Sequence, residues 1–288
     1  MKMGFIGAGK VGTAFGAYLQ RKGFALQGYF SRSTDSALKA AASTNSFVYE
    51  TAKALAKDVD FLWITTTDDH IKEVCDHLAE ENAFRKGQIV AHMSGASSSR
   101  ILYRAKEKGC FIYSIHPLQS FADIGKAIED LEHTYFSIEG DGEKMDVIEG
   151  LFQKMGNRTF RIATEHKGLY HAAACIFSNY LVTLMHQGLA YFEKIGIPKK
   201  EGFQAVLPLI LGTIENIEAL GTAIALTGPI ARGDGETIFH HIQSIEEKMP
   251  ETLWFYKMMG QMTFHLASVH KLKDPEKKEG LKKILSEV

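Results

Sequence analysis

The sequence predicts an α/β chain, with a mostly parallel sheet covered by helices on both faces in its N-terminal part and an all-helical C-terminal part. Three observations lead there. Between residues 1 and 163, short apolar, β-rich runs alternate with amphipathic stretches, the pattern of helices layered on a parallel sheet. The first of those runs leads directly into Gly7-Ala8-Gly9-Lys10-Val11-Gly12 and then an apolar helix. After Ala163 the β character disappears, and apolar residues recur at spacings of three and four.

Taken in order, the expected strands are Lys2-Ile6, Ala25-Phe30, Ser46-Tyr49, Asp60-Thr65, Gln88-His92, Phe111-Ile115, Thr134-Ile138 and Thr159-Ile162. Thr164 to Ile195 reads as one long helix, stopped by Gly196 and Pro198. Further helices are expected at Lys200-Leu220, Asp234-Lys248 and Pro250-Leu272. The tail Lys277-Val288 places Leu281, Ile284, Leu285 and Val288 on one stripe, which would dock on the helical part. The expected domains are therefore 1–163 and 164–288.

The bulk properties narrow the partners. Of 288 residues, 45% are hydrophobic and 23% charged, ordinary for a globular chain. Thirty-three basic against 34 acidic residues leave a formal charge of -1, so no basic field exists to select nucleic acid or an anionic membrane. Cys75, Cys110 and Cys175 are widely spaced, form no CxxC and cannot pair completely, which points to a reducing compartment. No signal-like apolar run opens the chain. The strongly apolar run Ala205-Ile214 is about half the ~20 residues of a membrane span, so a cytoplasmic location is expected.

The glycine motif carries the first functional reading. In G-x-G-x-x-G, Gly7 makes the tight turn, Gly9 lets backbone approach a pyrophosphate, and Gly12 lets helix and strand pack closely. Its setting after a first strand and before an apolar helix makes the N-terminal domain Rossmann-type, with phosphates on the helix N-terminus. Gly4 to Lys10 also has the spacing of a P-loop, but Val11 stands where a magnesium-binding hydroxyl is needed. At the end of the second strand, Ser31-Arg32-Ser33 replaces the acidic residue that grips the ribose in NAD enzymes. A guanidinium and hydroxyls suit a 2′-phosphate, so NADP is the expected cofactor. The alternative has Arg32 as a solvated turn residue and Asp35 on the ribose. Thr65-Thr66-Thr67, after the fourth strand, should line the same site, with Asp68 or Asp69 capping the next helix.

Four polar segments stand at strand or helix ends: His92-Met93-Ser94-Gly95-Ala96-Ser97-Ser98-Ser99, His116-Pro117-Leu118-Gln119-Ser120, Lys167 to Asn179, and Gly228-Pro229-Ile230-Ala231-Arg232-Gly233-Asp234. Together with the glycines, across essentially the whole chain, these resemble an uncharacterised family of Rossmann-like oxidoreductases with a C-terminal domain of unknown function. That family is itself similar to 6-phosphogluconate dehydrogenase, pyrroline-5-carboxylate reductase and prephenate dehydrogenase. The resemblance implies the fold and an NADP site. By similarity to β-hydroxyacid dehydrogenases, it also implies that Lys167 protonates a developing alkoxide, with His171 four residues on where those enzymes carry an amide. Residues four apart share a helix face ~5–6 Å apart, so His171 would either orient Lys167 or be the acid itself. The same likeness places Ser94, Gly95 and Ala96 at a substrate acid group, where free backbone N–H groups at a helix start would help. His116 is drawn into the site by a similar His-Pro pair in prephenate dehydrogenases. Arg232 could clamp an acidic substrate, across a dimer interface in one version, while Asp234 caps the next helix. A plain reading stands beside each: surface lysine, interfacial histidine, serine cap, structural strand-end histidine.

The expected function is hydride transfer between NADP and a carbonyl, alcohol, imine or amine of a small acidic metabolite. The alternatives are a non-catalytic NADP-binding regulator, or a pyrroline-5-carboxylate reductase-like, ketopantoate reductase-like or prephenate dehydrogenase-like enzyme. No HExxH or Cys/His spacing supports a metal, so none is expected. By analogy with the relatives, the helical domain is expected to form a homodimer.

Overall fold

The computed structural model describes residues 1–286, so Val288 of the apolar tail stripe lies outside the described residues. Eight strands form one sheet: β1 (Met3–Ile6), β2 (Leu26–Phe30), β3 (Phe47–Val48), β4 (Phe61–Ile64), β5 (Ile89–His92), β6 (Phe111–Pro117), β7 (Phe136–Gly140) and β8 (Thr159–Arg161). Their order is 3-2-1-4-5-6-7-8, and every pair is parallel except β6 with β7. The order reverses between β1 and β4, which opens a crevice at the carboxyl ends of those strands.

The helices of this part are α1 (Lys10–Arg21), α2 (Thr34–Thr44), α3 (Ala52–Asp58), α4 (Asp68–Glu80), α5 (Tyr103–Glu107), α6 (Ile124–Asp130), α7 (Met145–Met155) and α8 (Lys167–Cys175). Strands covered on both faces must be apolar at every position, and β1 and β4 are buried throughout. Phe5 and Trp63 face one core with Phe15, Tyr29, Phe136 and Phe152, while Ile6, Leu62 and Ile64 face a second with Leu55, Leu78 and Val90. The stacked pair Phe61 and Trp63, 4.2 Å between centroids, and the edge-on Phe15 lock α1 against the sheet next to the crevice.

The chain divides into two compact units between Tyr180 and Leu181, rather than at 163/164. The expected single helix from Thr164 to Ile195 is in fact a 3₁₀ turn at Thr164–His166, then α8, a π-helical stretch at Ile176–Tyr180, and α9 (Leu181–Lys194). The first turns of α8 belong to the sheet unit: Lys167 is buried, and the Tyr170 hydroxyl bonds to His116 on β6.

The second unit contains α9, α10 (Lys199–Ala225), α11 (Pro229–Arg232), α12 (Gly235–Lys248), α13 (Leu253–His270) and α14 (Pro275–Ser286). Its core is small: Ile230, Ile238, Ile242, Ala267 and Leu272, with Leu281 and Leu285 from the tail helix docking as expected. Helix α10 kinks at Gly221 (φ +76°) and buries only Gly202. The helical stretch Lys199–Arg232 is long and apolar enough, by length and composition, to cross a membrane. The short run Ala205–Ile214 understated it because the apolar character continues through Ile217, Leu220, Ala223 and Ile224.

Candidate active site

The cleft begins at the glycine turn. Gly7 has φ +105°, and a Cβ there would lie 2.6 Å from the Thr65 carbonyl carbon, so only glycine fits. A Cβ on Gly12 would meet Thr65 Oγ1 at 2.4 Å and the Gly7 oxygen at 2.5 Å. The Thr65 hydroxyl occupies that space, donating to the Gly7 oxygen at 2.8 Å. Gly9 differs: nothing lies within 4 Å of its Cβ position. It is the N-cap of α1 and offers no side-chain cap, and the first turn holds no acidic residue. The amides and positive dipole end of α1 are thus open to an anion.

This turn forms one wall of a cleft of about 630 Å³, lined also by Ala8, Lys10, Val11, Ser31, Arg32, Thr65, Thr66, Thr67 and Asp68. Lys10 is tied back, its Nζ donating to the Ala122 oxygen at 2.6 Å. Arg32 is exposed and makes no hydrogen bond or ion pair among the described residues. Ser33 is not on the cleft wall; it caps α2, its Oγ accepting from the Ser36 amide at 3.3 Å. A dinucleotide therefore fits: an open helix end for the pyrophosphate, an uncommitted guanidinium beyond β2, and a threonine-rich wall. Asp68 and Asp69 do not cap α4 as expected. Thr67 is its N-cap, without a side-chain bond, and both aspartates lie in the first turn.

Asp68 instead reaches across the crevice, accepting from Ser94 Oγ at 2.7 Å. That bond joins the cleft to a second cluster, built by β5, β6 and α8. His92, at the end of β5, is fully buried; the Ser94 amide donates to its Nδ1 at 3.2 Å, and its Nε2 faces the Ser98 oxygen at 3.1 Å. Those partners set the tautomer with the proton on Nε2. His116, on β6, has Nδ1 2.8 Å from the Tyr170 hydroxyl. Its ring lies edge-on to His171, 5.9 Å between centroids. Gly95 presses its backbone onto both rings: a Cβ there would sit 2.3 Å from His171 Nδ1 and 2.8 Å from His116 Nε2.

Lys167 completes the cluster. It is 2% exposed, and its Nζ has no hydrogen-bond partner among the described residues. The ammonium lies 5.3 Å from the centre of the Tyr170 ring. Burial lowers its pKa to about 8, against the upward pull of Glu139 and Asp68. Burial, with the charge of Lys167 beside it, pushes His116 down to about 3, and burial lowers His92 to about 4. Burial thus favours the neutral imidazole at both positions. His171 Nδ1 is buried without a partner, and its Nε2 lies 3.7 Å from Cys175 Sγ.

The structure thus brings Lys167, His171, His116, Ser94 and Gly95 together in the first unit, while Arg232 belongs to the second, at the end of α11. In the stretch from Ser94 to Ser99, where a substrate acid group is expected, part of the hydrogen-bonding capacity is committed within the fold. Ser94 donates to a carboxylate, and the amides of Ser94, Ser97 and Ser99 are taken by His92, Ser94 Oγ and Glu139. Ala96 is exposed at the tip of this loop, which leads into a 3₁₀ turn at Ser99–Leu102 rather than directly into an α-helix. Two further residues matter. Tyr170 sits inside the Tyr-His-Ala-Ala-Ala stretch and orients His116. Glu139, buried on β7, anchors the loop by accepting from the Ser99 amide and from the hydroxyls of Ser99 and Thr164. Its partners lie 25 and 40 residues away, so no local pattern marks it.

Two family models match the chain: a Rossmann-like domain over residues 1–117, and a domain of unknown function (DUF2520) over residues 134–263. Among solved structures, a protein from Thermotoga maritima superposes with a TM-score of 0.73 at 26% identity, covering 93% of this chain and 98% of its own. An imine reductase from Myxococcus stipitatus in complex with NADP+ gives 0.62 at 14%, covering 99% and 100%. A pyrroline-5-carboxylate reductase from Coxiella burnetii gives 0.60 at 13%, covering 99% and 98%. No protein of curated function matches the sequence. The chain joins a Rossmann-like domain to a DUF2520 domain, on a fold it shares with nicotinamide-dependent oxidoreductases.

Proposed function

We propose that the chain is a cytoplasmic NADP-dependent oxidoreductase acting on a carbonyl/alcohol or imine/amine of a small acidic metabolite. The bound nicotinamide would supply or accept the hydride. Every other task falls to the chain. The glycine turn and the amides of α1 hold the pyrophosphate, and Arg32 with Ser31 receives the 2′-phosphate. Thr65, Thr66 and Thr67 line the path toward Asp68 and Ser94. Lys167 holds the reacting heteroatom and moves the proton, with His171 and His116 packed around it.

The observation that carries this reading is Lys167. A buried ammonium without a partner costs folding free energy, and a fold keeps such a group where a ligand completes it. A regulator that only binds NADP has no use for it. The test is fluorescence titration with NADPH and NADH, followed by NADPH oxidation with a panel of small keto and cyclic imino acids. Tighter binding of NADPH is expected, with turnover that falls at least a hundredfold in Lys167→Ala while NADPH affinity stays within a factor of about three. Full activity in Lys167→Ala removes that residue from the chemistry, and NADPH binding without turnover of any compound favours the regulator.

A further inference from the structure

Resting on the oxidoreductase reading, we infer that Asp68 balances the charge of the nicotinamide ring, its carboxylate favouring the oxidised cationic ring over the reduced neutral one. When a reduced nicotinamide gives a hydride to a substrate carbon, the electron pair of its C4–H bond leaves with the hydrogen. The ring that stays behind carries one positive charge it did not have before. A fixed negative charge beside it stabilises that product and the transition state leading to it, so the bound reduced cofactor becomes a stronger hydride donor.

The order of the sheet says which half of the cofactor Asp68 meets. The glycine turn follows β1; Arg32 follows β2 on one side of it, and Thr65 to Asp68 follow β4 on the other. A pyrophosphate on the amides of α1, with the 2′-phosphate half drawn toward Arg32, leaves the side of β4 and β5 to the nicotinamide half. Asp68 belongs to that side on two counts. It lines the cleft after β4, and it accepts from Ser94 Oγ, in the loop after β5, at 2.7 Å.

The carboxylate is aimed without being neutralised. Ser94 Oγ accepts from the Ser97 amide at 3.0 Å and gives its own proton to Asp68 Oδ2, which fixes the direction of the side chain. No other side-chain hydrogen bond and no ion pair engages Asp68 among the described residues, and the residue is exposed in the open cleft. It stands in the first turn of α4, where the positive end of the helix dipole favours a negative side chain.

The neighbouring carboxylates serve elsewhere. Glu139 is buried and accepts from the Ser99 amide and from the hydroxyls of Ser99 and Thr164, so it anchors the loop. Glu73, further along α4, is the second carboxylate on the cleft wall, and it is paired with His70 Nδ1 at 2.8 Å. Lys167, which feels the fields of Glu139 and Asp68, carries a charge that opposes a cationic ring. Asp68 is the cleft carboxylate left to offset it.

The experiment measures binding, on the full-length protein without substrate. Calorimetry gives Kd for NADP+ and for NADPH in wild type, Asp68→Asn and Glu73→Gln. Asparagine keeps an oxygen for the Ser94 hydroxyl and removes the charge, so a carboxylate that only tethers the loop would leave the two affinities in proportion. The phosphates are common to both redox forms, and dividing Kd for NADP+ by Kd for NADPH cancels their repulsion from Asp68. That ratio should rise at least fivefold in Asp68→Asn and stay within about twofold in Glu73→Gln, with NADPH binding itself reporting both variants as folded. An unchanged or lower ratio in Asp68→Asn, or an equal rise in Glu73→Gln, overturns the inference and leaves the oxidoreductase reading standing. A wild-type protein that binds neither form overturns both.

Discussion

Lys167 sets function against stability in a way that one substitution can expose. Its pKa falls from 10.5 to about 8 because burial disfavours the charged form. Between those values the unfolded chain holds a proton that the folded chain has released, so stability rises with pH through that window. Below about pH 8 the burial penalty is fully present. At roughly 1.4 kcal/mol per pKa unit it amounts to about 3 kcal/mol. Lys167→Met keeps the length of the side chain and removes the charge. The urea midpoint at pH 7 should therefore rise, by up to that amount, in a variant that no longer turns over substrate. The gain should fade as the pH approaches 10.5. A variant less stable than wild type at pH 7 would show that Lys167 is held by contacts worth more than its charge costs. Sequence and family resemblance named Lys167, His171 and His116 but not their state. Burial of Lys167 depends on β6, β7 and the loop after β5, all distant in sequence. The Ser94–Asp68 bond spans 26 residues, so no local pattern pairs the two side chains.

At the scale of elements, the strand and helix pattern was legible because physics writes it locally. Parallel strands buried on both faces read as continuous apolar runs, and β1, β4 and β5 are such runs. The π-helical stretch at Ile176–Tyr180 was not legible, since a slip from i→i+4 to i→i+5 bonding leaves no mark in composition. The glycine turn separates folding from binding cleanly. At Gly12 a methyl would collide with Thr65 Oγ1 and a carbonyl oxygen, so Gly12→Ala should unfold the chain more easily, by about 1–3 kcal/mol as for other overpacked sites. At Gly9 a methyl meets no protein atom and φ is -78°, so Gly9→Ala should leave the melting temperature within about 2 °C. The same methyl would stand where the pyrophosphate approaches the backbone, and NADPH affinity should fall at least tenfold. Paired melting and fluorescence titration of the two variants checks both outcomes. Unchanged NADPH affinity in Gly9→Ala would place the pyrophosphate elsewhere.

At the scale of the whole molecule, α10 is the feature that a single chain leaves unexplained. The most apolar 18-residue window of the helical stretch Lys199–Arg232 has a mean hydropathy of 1.4, and none of that window is buried. Leu209 is 70% exposed and Ile224 62%, with Leu211, Ile214 and Leu220 also open to solvent. Two environments could cover such a helix. In a bilayer, Glu215 and Glu218 would each carry a penalty near ~3 kcal/mol, and the kink at Gly221 would break the span. Against a second copy, the exposed leucines and isoleucines pack out of water. A stable interface buries roughly 800 Å² per partner, an area that a long helix face with this many exposed apolar side chains can contribute to. We therefore propose a homodimer through the helical unit. Light scattering without detergent should give twice the 32.0 kDa chain mass at micromolar concentration. Leu211→Glu combined with Ile214→Glu should shift the protein to monomer while the sheet unit still binds NADPH. A wild-type monomer, or a protein that stays in solution only with detergent, would assign the face of α10 to something other than a second copy.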